Sequence, residues 1–398
     1  METLDNKEQL GLGVGPVPVT DNYIMNNSPV CVSQCSVENA PTTLVKGTVE
    51  SIFMQVRDAS GDRIRSPQEI KARIRKPDTA WVEIEVEEKN DKTFINVLGC
   101  IEGVHQGEIT VAGQHFPGSP FEFSVVRGMV RTFGAPGRGE GQFRYPWGIT
   151  VDRNGDVITA DRYNDRLQIL DKNGNCKKLI TFSQFQHPFK PGDITISDDN
   201  HYFSLDYINK QVVVSDDEGT FIRSFGKEEL KDPYGIAISP IDGAVYVSDW
   251  EGYSIRIYNQ FGIYTKSFGG KGKKEGQFLY PSGIAFNGDG LLFVSDNCNH
   301  RVQVFDVCNQ FLYSFGCYGS NNGEFNCPKG LAIDAEGHIY VSDYNRIQKF
   351  TSSGRFLSRV DRDSDGISLP TCIAVTSDDP QKVLVVDSSN HCIKVFVE

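Results

Sequence analysis

Long apolar runs are missing from this chain. Over 398 residues no hydrophobic stretch approaches the ~18 needed to cross a bilayer as a helix, so no such span is expected. The opening METLDNKEQL has no basic segment followed by an apolar one, so no signal peptide is expected either. Metal-ligand spacing is absent too. The 10 cysteines are scattered; only Cys31 and Cys35 lie close together, and no second pair or histidine pair completes a zinc site. Scattered thiols fit a reduced, cytoplasmic setting. There is no Walker loop and no G-x-S-x-G elbow. Positive charge is in deficit, with 40 Lys+Arg against 52 Asp+Glu and a net charge of −12. Such a chain is a poor general binder of polyanions, so any nucleic-acid site has to be a local basic face.

Glycine is plentiful, 39 in all, much of it in NG, DG and GG pairs that mark tight turns. That favours an all-β protein. Residues 1–40, rich in Gly, Pro, Asn and Ser without a period, read as a flexible leader. Residues 41–126 read as one β-sandwich: SIFMQVRD, WVEIEVEE, TFINVL, EITVAG and FEFSVV are short strands with turn signals between them. In WVEIEVEE the alternation puts Val82, Ile84 and Val86 on one face. The run QHFPGSPFEFSVV (114–126) resembles the end of a filamin-type immunoglobulin-like repeat. NDKTF (90–94) resembles that family's Asp-Gly-Thr-Tyr turn, with Lys92 in place of glycine and Phe94 in place of tyrosine.

From residue 127 to 398 the chain repeats. A Pro-x-Gly mark recurs at 146–148, 233–235, 281–283 and 328–330, with degenerate forms read at KPG (190–192) and LPT (369–371). The third residues fall at 148, 192, 235, 283, 330 and 371, a period of about 45 residues. A second mark has the same period: Asp161, Asp206, Asp249, Asp296, Asp343 and Asp387 each end a hydrophobic run. Each unit reads as four short strands, a to d, the plan of a propeller blade. Six a-b-c sets are present, and the last lacks strand d. MVRTFG (129–134) matches the strand-d pattern FIRSFG (221–226), so this N-terminal strand is expected to complete the last blade and close the ring.

The stretch VSDNCNHRVQVF (294–305) gathers an acid, a thiol, a histidine and an arginine, as a catalytic loop would. Its relatives recur in every unit, which identifies it as a structural element. The aspartate is expected to cap the turn from strand b to strand c, and Arg166, Arg301 and Arg346 to pair between blades. Some six-bladed propellers are metal-dependent lyases or hydrolases, and such an enzyme is the minor alternative; the seven histidines, His300 and His391 included, form no repeated His₃ or His/Asp set, so no metal, cofactor or small-molecule substrate is expected. The triplets Asn299-His300-Arg301, Asn390-His391-Cys392 and Asn164-Asp165-Arg166 resemble the Asn-His-Leu-like signature of NHL repeats. A filamin-type domain followed by six such blades resembles the C-terminal half of tripartite-motif NHL proteins. That resemblance implies a cytoplasmic, non-catalytic adaptor that selects mRNAs or proteins for silencing or ubiquitination. A RING, B-boxes and a coiled coil precede these domains in the full family members. Neither a zinc array nor sustained heptads occur here, so the chain is not expected to transfer ubiquitin.

The b–c and d–a loops of a propeller share one face. Its candidate binding residues are Arg144, Tyr145, Arg162, Tyr163, Lys190, Tyr207, Trp250, Lys274, Tyr280, Asn297 and Tyr344. Aromatics beside cations can stack bases and hold phosphates, and the same composition makes protein-interface hot spots. RNA or protein is therefore the expected partner on this face. A further protein partner is possible at the sandwich, through strand addition at a sheet edge.

Overall fold

A computed structural model describes residues 24–25, 36–38, 43–45, 49–55, 64–65, 70–75, 80–89, 92–98, 103–111, 114–115, 117, 119–126, 128–378 and 381–397. The chain divides into two compact units that part between residues 126 and 127. Of the stretch read as a leader, Ile24–Met25 and Ser36–Glu38 are strands, and the remainder lies outside the described residues. No helix among the described residues is long and apolar enough to cross a membrane.

The first unit is a sandwich of two antiparallel sheets. One runs Ser36–Glu38, Val49–Gln55, Lys92–Leu98, Glu87–Lys89. The other runs Thr43–Val45, Phe121–Val126, Gly103–Val111, Ile70–Arg75, Trp81–Ile84. Ile52, Met54, Ile95 and Val97 from the first meet Ile70, Ala72, Ile74 and Ile109 from the second in one core. WVEIEVEE is therefore not a single strand. Trp81–Ile84 is the edge of one sheet, and Glu87–Lys89 belongs to the other. Val82 pairs with buried Ile74 yet is 53% exposed, because an edge strand reaches beyond the cover of the opposite sheet. The Gly-Ser-Pro-Phe turn is pinned by the Ile109 N–H donating to Ser119 Oγ at 2.7 Å. Phe121 then lies over Gly107, where a Cβ would fall 2.3 Å from its ring.

The second unit is six four-stranded antiparallel sheets. Blades 1 to 5 begin with strands a at Pro146–Val151, Pro191–Ile196, Pro233–Ile238, Pro281–Phe286 and Pro328–Ile333. Blade 6 contains Pro370–Val375, Lys382–Asp387 and Cys392–Val397, and Met129–Phe133 supplies its strand d, with Phe133 opposite Ile393. Each strand a contacts the strand a of the next blade, and blade 6 meets blade 1, so the ring closes. The core is correspondingly distributed between blades. Between blades 6 and 1, for example, Phe133, Ile393 and Val395 pack on Phe143, Ile149 and Leu170. Phe143, Phe189, Leu230, Phe278, Phe325 and Ile367, two or three residues before each strand a, are all buried wedges at these seams.

The register of the repeat differs from the sequence reading in two units. Pro191 pairs with Asp206 and Pro370 with Asp387, as Pro146 pairs with Asp161. The residue equivalent to Gly148 is thus Asp193 in blade 2 and Cys372 in blade 6, not Gly192 and Thr371. The glycine is required elsewhere because neighbouring strands a approach too closely for a side chain. A Cβ on Gly283 would lie 2.2 Å from the Lys329 carbonyl oxygen, and one on Gly330 2.7 Å from Cys372 Cα.

The six strand-b aspartates are buried, and their role is broader than capping the b–c turn. Their carboxylates accept N–H groups of the d–a loop that enters the same blade: Arg144 N to Asp161 at 2.8 Å, Asp232 N to Asp249 at 2.8 Å, Leu279 N to Asp296 at 2.8 Å, Ser368 N to Asp387 at 3.0 Å. The second oxygen of Asp161 accepts from Asn164, Arg166 and Gln168, and that of Asp296 from Asn299, Arg301 and Gln303, all at 2.8–3.0 Å. The arginines therefore pair within a blade. They reach across only to carbonyls of the arriving loop, Arg166 to Gly139 and Gln142, Arg301 to Lys274 and Gln277. Blades 3 and 6 move the cation two residues along strand c, to Arg256 and Lys394, which keeps it on the same face and within reach of Asp249 and Asp387. Burial pushes the carboxyls of Asp206, Asp296 and Asp343 above the ordinary 3.8, against the pull of these hydrogen bonds.

Two losses follow. Ending the chain at Asp387 removes strand Cys392–Val397, to which Met129–Phe133 pairs. Calorimetry should then show the cooperative transition of the ring lost, not merely shifted. Asp296→Ala leaves Arg301 and Gln303 without their buried acceptor, and is expected to cost about 3–5 kcal/mol in urea unfolding.

Candidate recognition face

Backbone hydrogen bonds bring the b–c and d–a loops together on one face. The first or second residue of the b–c loop donates to the d–a loop of its own blade: Tyr163 to Arg144 O, Tyr207 to Lys190 O, Trp250 to Asp232 O. The last residue of the b–c turn, just before strand c, is left-handed in five blades, at Asp165, Lys210, Tyr253, His300 and His391; in the shorter turn of blade 5 the left-handed residue is Tyr344, with Asn345 between it and strand c. Here the two signature histidines find their function. His391 Nδ1 accepts the Tyr145 N–H at 2.9 Å, and His300 Nδ1 accepts the Cys327 N–H at 3.2 Å. Each joins one blade to the next. Among the described residues no group of three or more His, Cys, Asp or Glu is placed to hold a metal.

On this scaffold lies a continuous row of rings and cations. The Arg162 guanidinium is sandwiched 3.6 Å from the Tyr207 ring centre and 4.1 Å from that of Trp147. Trp147 meets Tyr234 edge to face at 5.6 Å, and Tyr234 stacks on Trp250 at 4.8 Å with 17° between planes. Trp250 leads to Tyr280 at 5.1 Å, Tyr280 to Tyr253 at 5.2 Å, and Lys271 Nζ caps Tyr253 at 4.8 Å. The row crosses blades 2, 1, 3 and 4. A second cluster flanks it: Lys190 ion-pairs with Asp165 and lies 5.5 Å from the Tyr163 ring, which meets Tyr145 and then His391. The Arg162 Nε is buried with no acceptor among protein atoms.

Of the residues singled out from sequence, Arg162, Tyr207, Trp250 and Tyr280 join the row, and Tyr145, Tyr163 and Lys190 form the flanking cluster. Arg144 contributes its backbone to the Asp161 clasp and is half-buried. Lys274 and Tyr344 are exposed and stand outside both groups; Lys274 meets Arg301 through its carbonyl. Asn297 is corrected outright. It is 3% exposed, and its side chain donates to Pro328 O at 3.0 Å, a bond between blades 4 and 5. Sequence reasoning did not single out Trp147, Tyr234 or Tyr253. The signal was there for two of them: Trp147 and Tyr234 fill the middle of Pro-x-Gly, a position otherwise held by Gly192, Ser282, Lys329 and Thr371.

Beneath the row, strands a of all six blades line the central channel. The two departures from glycine meet there. Cys372 Sγ donates to Asp193 Oδ1 at 3.3 Å, and Asp193 Oδ2 accepts the Ile236 N–H at 3.1 Å. Gly148 lies between them; its Cβ would fall 2.8 Å from Asp193 Oδ1. Burial pushes the Asp193 carboxyl up to about 6, opposed by the N–H groups of Ile236 and Ile194 and by Cys372.

Charge is unequal between the two faces: the loop face mixes acids such as Glu228, Glu229, Asp232 and Glu251 with its cations, and the opposite face is mainly acidic. The turns opposite the row carry Asp152, Asp198, Asp199, Asp217, Glu218, Asp242 and Asp289 against few cations, chiefly Arg153, Lys172 and Arg355. The net negative charge of the chain therefore does not describe the face that holds Arg162, Lys190 and Lys271.

Three stretches of the ring, 143–170, 278–305 and 325–350, match the family described as NHL repeat. These are blades 1, 4 and 5, the three in which arginine opens strand c and glutamine follows two residues on. Protein lin-41 of Caenorhabditis elegans is 31% identical over 162 residues, 31% of this chain and 14% of that protein. E3 ubiquitin-protein ligase TRIM71 of Rattus norvegicus is 30% identical over 141 residues, 33% of this chain and 16% of that protein. Protein brain tumor of Drosophila melanogaster is 30% identical over 148 residues, 34% of this chain and 14% of that protein. The matches thus span no more than about a sixth of these curated relatives. A structural genomics protein of unknown function from Bacteroides thetaiotaomicron shares the fold, with a TM-score of 0.55 and 17% identity over 93% of this chain and 98% of that one. A streptogramin B lyase structure shares it with a TM-score of 0.51 and 15% identity over 67% of this chain and 97% of that one.

Asp193 makes the ring sensitive to pH. A folded-state carboxyl raised from 3.8 to about 6 binds its proton more tightly than the unfolded chain does. Its contribution is fully present below pH 3.8 and is lost as pH rises through about 6, a difference of about 3 kcal/mol. Asp193→Asn should therefore raise the melting temperature at pH 7.5 and leave it nearly unchanged at pH 4, measured by scanning calorimetry.

Proposed function

The chain is an NHL-repeat propeller protein similar to the tripartite-motif NHL proteins, and we propose that its loop face selects single-stranded or looped RNA for post-transcriptional silencing. The row from Tyr207 through Arg162 and Trp147 to Tyr280 carries this reading. Its rings present faces to stack on, and its cations stand among them rather than in ion pairs alone. Stacking contributes about 1–3 kcal/mol per base, so two or three bases suffice for a useful affinity. The excess of acids lies on the other face, which weakens the objection that net charge raised.

Recruitment of a protein substrate for a ubiquitin ligase is the second reading. Asp232 and Glu251 lie close to the row and would repel phosphates; burial, reinforced by the charge of Glu251, raises the Asp232 carboxyl. A ligase is also among the similar proteins. In this reading the rings act as interface hot spots, and the chain works as an adaptor with a cytoplasmic partner. The sandwich would add a protein contact along a sheet edge.

Binding of the full chain to a random RNA pool, followed across a salt series, separates the two. Saturable binding that weakens with salt is expected for RNA. Arg162→Ala/Tyr207→Ala should weaken it about 10–100-fold, and Tyr280→Ala somewhat less. Binding that ignores both substitutions, or none at all, assigns the face to a protein.

A further inference from the structure

The face opposite the row is built from the a–b and c–d turns, and blade 3 is unlike its sisters there. The c–d turn has one geometry throughout: Gly262 at φ 85° matches Gly174 at 87°, Gly219 at 83° and Gly354 at 80°. Phe261 stands where those turns hold Asn173, Glu218 and Ser353. Ile263 stands where they hold Asn175, Thr220 and Arg355. Both are left in water, Phe261 67% and Ile263 63% exposed, as is Ile241 at 62% in the a–b turn of the same blade. The fold does not need apolar residues here, since the same turn forms with polar ones. Val307 of blade 4, 57% exposed, extends the patch; it and Ile241 both pack against Gly290.

The patch borders a groove between blades 2 and 3. Ile241, Phe261 and Phe203 line it, together with the carboxylates of Asp198, Asp199 and Asp242. Its one arginine, Arg223, is already engaged: Nη2 donates to Gln260 O at 2.9 Å, and the guanidinium lies 5.7 Å from the Phe203 ring. The Asp198 side chain is fully exposed and meets the equally exposed Arg153 at 3.5 Å, a pair that water screens. Asp199 meets His201 at 3.0 Å, and Asp242 is exposed. Apolar walls under a rim with three carboxylates and few cations fit one chemistry, an apolar side chain flanked by cations. A nucleic-acid backbone would be repelled from the same rim.

We propose that this groove docks an extended segment of a partner protein, anchored by an aromatic or branched apolar side chain between lysines or arginines. The site is separate from the ring-and-cation row, and its partner can be held while that row is occupied. Exposed apolar area that no fold requirement explains marks an interaction surface, and charge complementarity gives it specificity more than strength.

Selection of phage-displayed random peptides against the full chain tests this. The expected peptides combine an apolar anchor with at least two basic residues and, resynthesised, bind in fluorescence anisotropy with micromolar Kd. Phe261→Ser/Ile263→Thr, residues borrowed from sister turns, should weaken them about tenfold with an unchanged melting temperature. Asp198→Asn/Asp242→Asn should lower both affinity and its salt dependence, and Arg162→Ala should change neither. Failure to select any peptide, peptides without basic residues, or binding indifferent to Phe261→Ser/Ile263→Thr would overturn the proposal. So would self-association in sedimentation velocity that Phe261→Ser/Ile263→Thr abolishes, because a second copy of the chain would then be the occupant.

Discussion

A buried carboxylate at the end of each strand b holds this propeller together. It ties three parts of the chain at one point: the turn it begins, the cation or amide on strand c, and the loop arriving from the previous blade. A lone buried charge would be costly, and here each is matched by several donors. The loops are the only covalent links between blades, so fixing each loop at its entry fixes how the next sheet starts. The blades then pack through Phe143, Phe278 and their equivalents, which have nowhere else to be buried. The cation can slide from Arg301 to the position of Lys394 without harm, because alternation along a strand keeps it on the same face. Blade 2 dispenses with it: Gln211 stands where Arg166 and Arg301 open strand c, and Asn209 bonds Asp206 as Asn164 and Asn299 bond their aspartates.

The candidate recognition face inherits its order from those clasps. Arg144 and Asp232 give backbone to a carboxylate below and carbonyls to the b–c loop above, so the rings of Tyr163 and Trp250 are carried on paired backbone. Such a surface loses little entropy when a ligand settles on it. The left-handed residue before strand c does further work where it is a histidine, since its ring nitrogen receives an N–H from the following blade. The signature histidine is thus a seam between blades. The same economy explains the channel. Glycine allows strands a to touch, and the two positions that abandon it, Asp193 and Cys372, fill the space above Gly148 with a thiol-to-carboxylate bond.

Much of this was legible in the sequence. Two marks of one period fixed the blade count, and an unmatched strand pattern at residue 129 foretold the closure that pairs Met129–Phe133 with Cys392–Val397. The degenerate marks at 190–192 and 369–371 misled by one residue, because a glycine and a threonine beside the proline were taken for the packing position. The candidate face was recovered in part. Arg162, Tyr207, Trp250 and Tyr280 were visible as loop aromatics and a loop cation, whereas Asn297 had the same appearance and proved to be a buried link between blades. Residue type does not say which way a loop side chain turns.

The sequence alone determined the architecture, since periodic spacing and strand alternation are local properties that repetition makes unmistakable. Only the tertiary structure decided which rings touch. Tyr207, Trp147, Tyr234 and Tyr280 come from four blades, and their contacts depend on how the sheets are set around the channel. The same holds for the charge of the two faces: acids and cations are interspersed along the chain, and the up-and-down course of each blade gathers most of the acid excess on the side opposite the row.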